Sequence, residues 1–341
     1  MNRIDWKHGK VEMVHGGGGR AMVELISQLF AKEFDNEFLN QGNDGAILAA
    51  TNGRLVMATD SHVISPLFFP GGDIGSLSVH GTVNDVAMNG AKPLYLSASF
   101  ILEEGFPLSD LKTIVQSMAA AARDAHVPIV TGDTKVVEKG KGDGVFITTT
   151  GIGEVYAGVS VSGNSVKPGD KILVSGSMGD HGVTILSQRE HLGFSSELQS
   201  DTQSLHDLVE SMVNQFPQIR CLRDPTRGGL ANTLNEIAKQ SSVGITIEES
   251  QIPVKPQVAA ACEFLGLDPL YVANEGKLIA ICPAEYSTEL LQLMKQHPKG
   301  AESAIVGEVT EDSHCFVQMV TKFGGRRMVD WLNGEQLPRI C

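Results

Sequence analysis

"AILAATNGRLVMATD", residues 46–60, is the stretch on which the fold class turns. Two apolar runs flank the Asn52-Gly53 dipeptide. Asn-Gly in that setting predicts a β-hairpin, because both central residues of the favoured two-residue turn take φ > 0. A hairpin joins antiparallel strands, which a purely parallel, doubly wound sheet does not contain. Upstream, "GRAMVELISQLFAKEF" places Met22, Leu25, Ile26, Leu29 and Phe30 on one helical face. Downstream, "IGSLSVHGTVNDVAMNGA" has a helical rhythm with a stop at Gly90, followed by a strand in "PLYLSASFIL" and an alanine-rich helix in "LSDLKTIVQSMAAAARDAH". Strands in "PIVTGD" and "VFITTTGIG" complete a mixed pattern, and the prediction is α+β.

At 341 residues two domains are expected. The polar, proline-bearing "SGNSVKPGDKI" marks the boundary, giving an N-terminal α+β domain over 1–160 and a C-terminal α+β domain over 161–311. The second half repeats the style, with strands in "KILVSG", "VGITIEES", "KLIAIC" and "SAIVGEVT", and helices after Gly179 and Gly228 and in "PQVAAACEFLG" and "YSTELLQLMKQH". Residues 312–341 show no period and read as a C-terminal segment and tail.

The formal net charge of −13 argues against nucleic acid as a partner, while leaving room for one local anion site. Five cysteines without CxxC spacing, odd in number, read as reduced thiols of a cytoplasmic protein. No leader-like apolar core is present, and no run approaches the ~18 apolar residues of a membrane span.

Several stretches carry chemistry. "HGGGGRAM" offers free backbone N–H groups leading into a helix, which suits an anion cradle or, equally, a plain flexible linker. No Gly-Lys-Ser/Thr follows, so it is not a Walker A loop. Asp60, Asp85 and Asp133 each follow or interrupt an apolar run. Singly each reads as a turn or cap residue, whereas together they could hold magnesium on a triphosphate. Lys135 is either a solvated lysine or a contact for a phosphate or substrate oxygen. In "LRDPTRGG", Asp224 or Thr226 could cap a helix and Arg227 could meet a phosphate. "SGSMGDHG" sets Asp180 and His181 in a glycine turn, and "YVANEGKLIAI" puts Glu275 at a strand mouth, where burial would make it a base. The sequence ends in "GEQLPRIC". A ten-residue tail reaches roughly 33 Å when extended. It could carry a group on the Cys341 thiol, whose pKa starts near about 8.5 and which Arg339 would favour as thiolate. Pro338 and Ile340 would steer it.

Taken in order, "HGGGG", "DSHVISPLFFPGGDIG", "GTVNDVAMNGA", "FILEEG", "VTGDTKVV", "GDHG", "RDPTRGG", "ANEGKL" and "PRIC" resemble the HypE family of nickel–iron hydrogenase maturation proteins almost end to end. The resemblance implies the two-domain fold of the aminoimidazole ribonucleotide synthetase superfamily, with an N-terminal sheet that forms a barrel in a homodimer and a flexible tail. It implies ATP and Mg²⁺ as cofactors and ATP-dependent dehydration of an S-carboxamide on Cys341 to an S-cyanate, the source of the cyanide ligands of the hydrogenase. A HypF-like carbamoyltransferase would load the thiol, and HypC- and HypD-like iron carriers would receive the product. By the same resemblance, His15, Gly16, Gly17, Gly18, Gly19, Asn84, Asp85, Thr131, Asp133 and Arg227 bind nucleotide, and Asp60, Asp85 and Asp133 hold magnesium. Cys341, Lys135 and Glu275 are the catalytic expectations, the last two for polarisation and deprotonation. Glycine at both Gly17 and Gly18, where relatives often carry another small residue, leaves a more flexible lid. Two rivals stand beside this reading. One is another superfamily activity, such as small-molecule phosphorylation or selenophosphate synthesis, which gives the tail no role. The other is a nucleotide-gated carrier that moves a thiol adduct without converting it.

Overall fold

The computed structural model describes residues 4–190, 198–334 and 340. The expectations for Cys341, Pro338 and Arg339 therefore lie outside the described residues.

The N-terminal domain opens with a helix interrupted by a π turn: α1 (Arg20–Leu25), the wide turn Ile26–Phe30, and α2 (Ala31–Glu33). The predicted face is only partly used, with Leu25, Leu29 and Phe30 buried and Ile26 exposed. β1 (Leu55–His62), the short pair β2 (Phe68–Phe69) and β3 (Gly72–Asp73), α3 (Ile74–Met88), β4 (Ala91–Glu103), α4 (Leu108–Asp124), β5 (Ile129–Val137) and β6 (Val145–Val155) follow. The hairpin expected at Asn52-Gly53 does not form. Residues 46–50 are not a strand, and β1 pairs antiparallel with β6, about ninety positions along the chain. The Gly53 N–H is taken by the Glu154 carboxylate of β6 at 2.7 Å, so a distant strand replaces the local partner. The α+β class stands on this other pairing. The sheet order is β1-β6-β4-β5, with β5 parallel to β4.

α3 decides where the site sits. Asp73 caps it, its carboxylate accepting from Gly75 N (2.7 Å) and Ser76 N (3.0 Å), while Ser76 Oγ accepts from Asp73 N. It is buried nearly all round, as a helix without a polar face must be. On the sheet side, Thr82 Oγ1 lies 2.6 Å from Thr149 Oγ1, and the Thr149 hydroxyl donates to Ser78 O. On the other side, Asn84 grips the second domain: Oδ1 accepts from Leu205 N (2.7 Å) and Nδ2 donates to Gln203 O (3.0 Å). Gly75 crosses α4 so closely that a Cβ there would strike the Ile114 carbonyl. Gly75→Ala is expected to destabilise the protein by about 1–3 kcal/mol, read as a lower urea midpoint at unchanged slope.

The second domain runs β7 (Lys171–Val174), α5 (Asp180–Arg189), α6 (His206–Gln215), β8 (Cys221–Arg223), α7 (Gly229–Ser241), β9 (Gly244–Glu248), α8 (Pro256–Leu265), β10 (Ile279–Cys282), α9 (Ala284–Gln296), β11 (Ala304–Thr310), β12 (Val317–Val320) and β13 (Arg326–Met328). Its seven strands are ordered β13-β12-β9-β11-β7-β10-β8. Ile279 and Ile281 pack with Leu230, Leu234 and Ile237 of α7, whereas Ala280 and Cys282 pack with Leu208 and Met212 of α6 and Leu290 of α9. Covered on both faces, the central strands are continuously apolar, which is why "KLIAIC" shows no alternation. The sheet also runs past residue 311: β12 lies parallel to β9 and pairs with β13, so residues 317–328 belong to the domain rather than to a tail.

Candidate active site

β1 and α3 bring two of the expected carboxylates together, and the turn after β8 adds a third. In register, Asp60 lies opposite Thr149, whose side chain meets α3, so Asp60 also faces that helix. Its Oδ2 lies 3.3 Å from His62 Nε2, and its Oδ1 accepts from Ser61 N and lies 3.9 Å from Arg227 Nη2 across the domain boundary. Burial by itself would raise Asp60, but the His62 contact, the Arg227 charge and the Ser61 N–H together hold it below the usual carboxylate range. Asp85 takes the opposite course. Burial, then the charges of Asp224 and Asp60, push its carboxyl up to about 7 against the pull of Arg223 and Arg227. Asp224 is pushed up to about 6 by burial, with Asp60 adding and its backbone hydrogen bond and Arg223 opposing. Asp224 was legible only as a helix cap, although an acid at the end of the short strand "CLR" carries a signal similar to the one that marked Asp60.

The second component is the 273–277 segment. Asn274 is fully buried and acts as its staple: Oδ1 accepts from Gly179 N (2.7 Å), and Nδ2 donates to Pro225 O (3.0 Å) and Val272 O (3.1 Å). Glu275 follows, its N–H on Asp201 Oδ1 (3.0 Å) and its carbonyl 3.5 Å from Asn84 Nδ2. Gly276 is needed next, because any Cβ would collide with the Asp201 carbonyl. The Glu275 side chain is buried, and Oε1 has no hydrogen-bond partner among the described residues. Burial, then the charges of Asp201, Asp224 and Asp60, drive its pKa well above the ordinary value, with Arg227 opposing. A buried, unpartnered carboxyl whose pKa is raised by its surroundings, at a domain boundary, is equipped for proton transfer. Asp201 and Asn274 gave no sequence signal, since their roles depend on which turns meet.

The expected trio of Asp60, Asp85 and Asp133 does not assemble in one chain. Asp133 is on β5, three strands from β1 across the sheet, about 14 Å at the usual strand spacing. By register it is opposite Ser99, one position off the Ala98–Thr149–Asp60 row, and so points to the face turned away from α3. Lys135 shares that outer face, opposite Ile101, with its ammonium 3.6 Å from Asp133 Oδ2 and largely exposed. Glu275 sits against α3, so the sheet separates it from Lys135. Asn84 also departs from expectation, its amide being committed to protein backbone. Thr131 and Asp133 border an apolar cavity of about 120 Å³ lined by Met22, Phe30 and Phe100. The His15–Gly19 loop lies over β5, with Gly16 against Val136. His15 Nδ1 accepts from Glu12 N at 2.9 Å, Gly17 follows as an open turn, and Gly18 and Gly19 have free space around them.

Three acids, two of them with raised pKa values, close to Arg223 and Arg227, fit a divalent cation, since such a charge would relieve their mutual repulsion. Among the described residues no three ligand side chains converge tightly enough to cage an ion unaided. That donor set suits magnesium arriving on phosphate oxygens, which needs only one or two carboxylates. Of the described cysteines, burial pushes Cys221 and Cys282 up to about 12 and Cys262 to about 11, leaving them poor nucleophiles.

Comparison with known proteins places this arrangement. Residues 42–155 match the AIR synthase related protein, N-terminal domain, and residues 167–320 match the C-terminal domain of the same family. The carbamoyl dehydratase HypE of Azotobacter vinelandii is 69% identical over 341 residues, covering 100% of both chains. A solved structure of hydrogenase maturation protein HypE in complex with ATP superposes with a TM-score of 0.94 at 52% identity, covering 97% of this chain and 99% of that one. A HypE–HypF complex matches with a TM-score of 0.80 at 50% identity over 90% of this chain and 99% of that chain. The chain belongs to the AIR synthase related family and, within it, to the HypE hydrogenase maturation proteins.

Proposed function

We propose that this protein is an ATP-dependent carbamoyl dehydratase that converts an S-carboxamide on Cys341 to an S-cyanate for the cyanide ligands of a nickel–iron hydrogenase. The observation that carries this reading is the seat of Ile340, the residue before Cys341. It is buried, forms an antiparallel bridge with Ile64 at the end of the β1 side of the site, and gives its carbonyl to His181 at 2.7 Å. His181 is the second residue of α5, the helix whose Gly182 N–H is held by Ala273 O, two residues before Glu275. Ile340 is thus docked on the turn that is also tied to the segment carrying Glu275.

ATP, when bound with magnesium, supplies the phosphoryl group that turns the carboxamide oxygen into a leaving group. Asp60, Asp85 and Asp224 would hold the cation, and Arg227 would offset charge developing on the phosphates. Glu275 takes one N–H proton of the activated carboxamide. The C–O bond then breaks, the C≡N bond closes and phosphate departs with the other proton, so the net change is loss of one water from the carboxamide coupled to hydrolysis of one ATP. Lys135 polarises, Thr131 and Asp133 bind nucleotide, and the His15–Gly19 loop covers it. Lys135 and Asp133 lie on the outer face of the sheet, the same face that carries Leu55 and Met57 at its other edge, 63% and 74% exposed. Such an apolar, hydroxyl-rich face supports a homodimer in which these groups serve a site built with the mate. A HypF-like carbamoyltransferase loads the thiol, and HypC- and HypD-like carriers accept the cyanide. No helix among the described residues is long and apolar enough to cross a membrane, and we place the reaction in the cytoplasm.

The test is mass spectrometry of the peptide containing Cys341. Carbamoylated protein given magnesium–ATP is expected to lose the mass of one water there. An adduct that persists through repeated ATP hydrolysis would leave the carrier reading in its place.

A further inference from the structure

We propose that His181 is the positioning residue that clasps the segment carrying Cys341, acting as a neutral imidazole with its proton on Nε2. The inference deepens the reading above, in which Cys341 carries the reacting group.

The hydrogen-bond geometry fixes the tautomer. His181 Nε2 lies 2.7 Å from the Ile340 carbonyl, which can only accept, so Nε2 must bear the hydrogen. Nδ1 then has a lone pair, and it lies 2.7 Å from Ser200 Oγ. That oxygen already accepts from Thr202 N at 3.1 Å, leaving its own hydrogen free to point at Nδ1. Each atom in the relay from Thr202 to Ile340 thereby has one consistent role. The ring itself is fully buried and crossed nearly perpendicularly by Phe69 at 5.7 Å. Burial pushes its pKa down, against the Asp201 charge and the Ile340 carbonyl, which agrees with a neutral ring.

An ordinary core histidine could be satisfied by any fixed carbonyl. Here the acceptor is 159 positions away, and it carries a side chain that enters the N-terminal core beside Ile64. The clasp is also tied to the chemistry. Gly179, just before α5, is held by Asn274 Oδ1, and Gly182 by Ala273 O, so the imidazole and Glu275 hang from one rigid turn. A backbone carbonyl docked on that turn sets where the next residue falls relative to Glu275. A misplacement of about 1 Å in such a geometry can cost about 10²-fold in rate.

The experiment uses the full-length protein and two readouts: peptide-resolved alkylation of Cys341 by iodoacetamide without nucleotide, and single-turnover conversion of the pre-carbamoylated chain with magnesium–ATP. His181→Phe keeps ring shape but removes the donor. It is expected to raise the Cys341 alkylation rate about tenfold and slow conversion by about tenfold or more, with the ATP KM unchanged. His181→Gln, whose amide N–H reaches a similar position, is expected to recover most of both. Should His181→Phe fail to fold, Ser200→Ala, which strips Nδ1 of its donor, is expected to shift both readouts the same way by about fivefold. Wild-type alkylation and wild-type conversion in these variants would overturn the clasp, as would an effect confined to the ATP KM. If instead alkylation responds while even the wild-type adduct never converts, the clasp stands and the dehydratase reading falls.

Discussion

Glu275→Gln is expected to slow conversion of the carbamoylated protein by about 10²–10⁴-fold, the usual contribution of a positioned general base, while ATP affinity is unchanged. The amide is isosteric, and the site around it is built from backbone: the Glu275 N–H is on Asp201 and its carbonyl faces Asn84, neither of which needs the carboxylate. What changes is one unpartnered oxygen in a buried place. In the nucleotide-free protein burial, then the charges of Asp201, Asp224 and Asp60, raise the Glu275 pKa well above the usual carboxylate range and favour its protonated form. A cation on Asp60 and Asp224 cancels two of those three charges. It lowers the Glu275 pKa and so prepares the base when the nucleotide arrives. The wild-type rate is accordingly expected to rise with pH along an acidic limb, as the ionised form becomes available, and the variant's residual rate to lack that limb. Conversion of the variant at the wild-type rate would remove Glu275 from the proton-transfer role.

Most elements were legible because their signals are local. The helix that stops near Gly90, the alanine-rich helix α4 and the helix after Gly228 sit where the sequence puts them. The hairpin was not, since Asn52-Gly53 fixes only a turn, and the Glu154 carboxylate on β6 claims the Gly53 N–H that would have closed it. Asp60 and Asp133 look alike in sequence, each an acid after an apolar run. Nothing in either motif records that β5 is three strands from β1, or that the irregular β4–β5 register turns Asp133 to the opposite face. Asn84, next to Asp85, was expected as a nucleotide ligand by resemblance. Successive helical positions diverge by about 100°, so one of the pair meets the cluster while the other grips Leu205. Asp201 and Asn274 were silent because a staple is defined by its two ends, and sequence displays only one.

Asp85→Asn is expected to lower magnesium–ATP-dependent conversion by about 10²–10³-fold and, at the same time, to raise the melting temperature of the nucleotide-free protein at pH 8. The sign follows from linkage. An aspartate titrates at about 3.9 in the unfolded chain, whereas in the folded one burial and neighbouring carboxylates push Asp85 up to about 7 and Asp224 up to about 6. Between those values the folded state binds more protons than the unfolded state, so stability falls as pH rises. Melting of the wild-type protein without nucleotide should therefore decline from about pH 5 to pH 8, and the decline should be shallower in the variant. Magnesium–ATP should restore the wild-type melting temperature at pH 8, because a cation supplies the charge these carboxylates lack, and should do so much less for Asp85→Asn. Equal slopes with and without Asp85 would mean that its carboxyl is already compensated in the folded protein. Retained magnesium-dependent conversion in the variant would move the cation to Asp60 and Asp224 alone. The stability that the protein forgoes above neutral pH is, on this account, the same repulsion that draws the nucleotide's metal into the site.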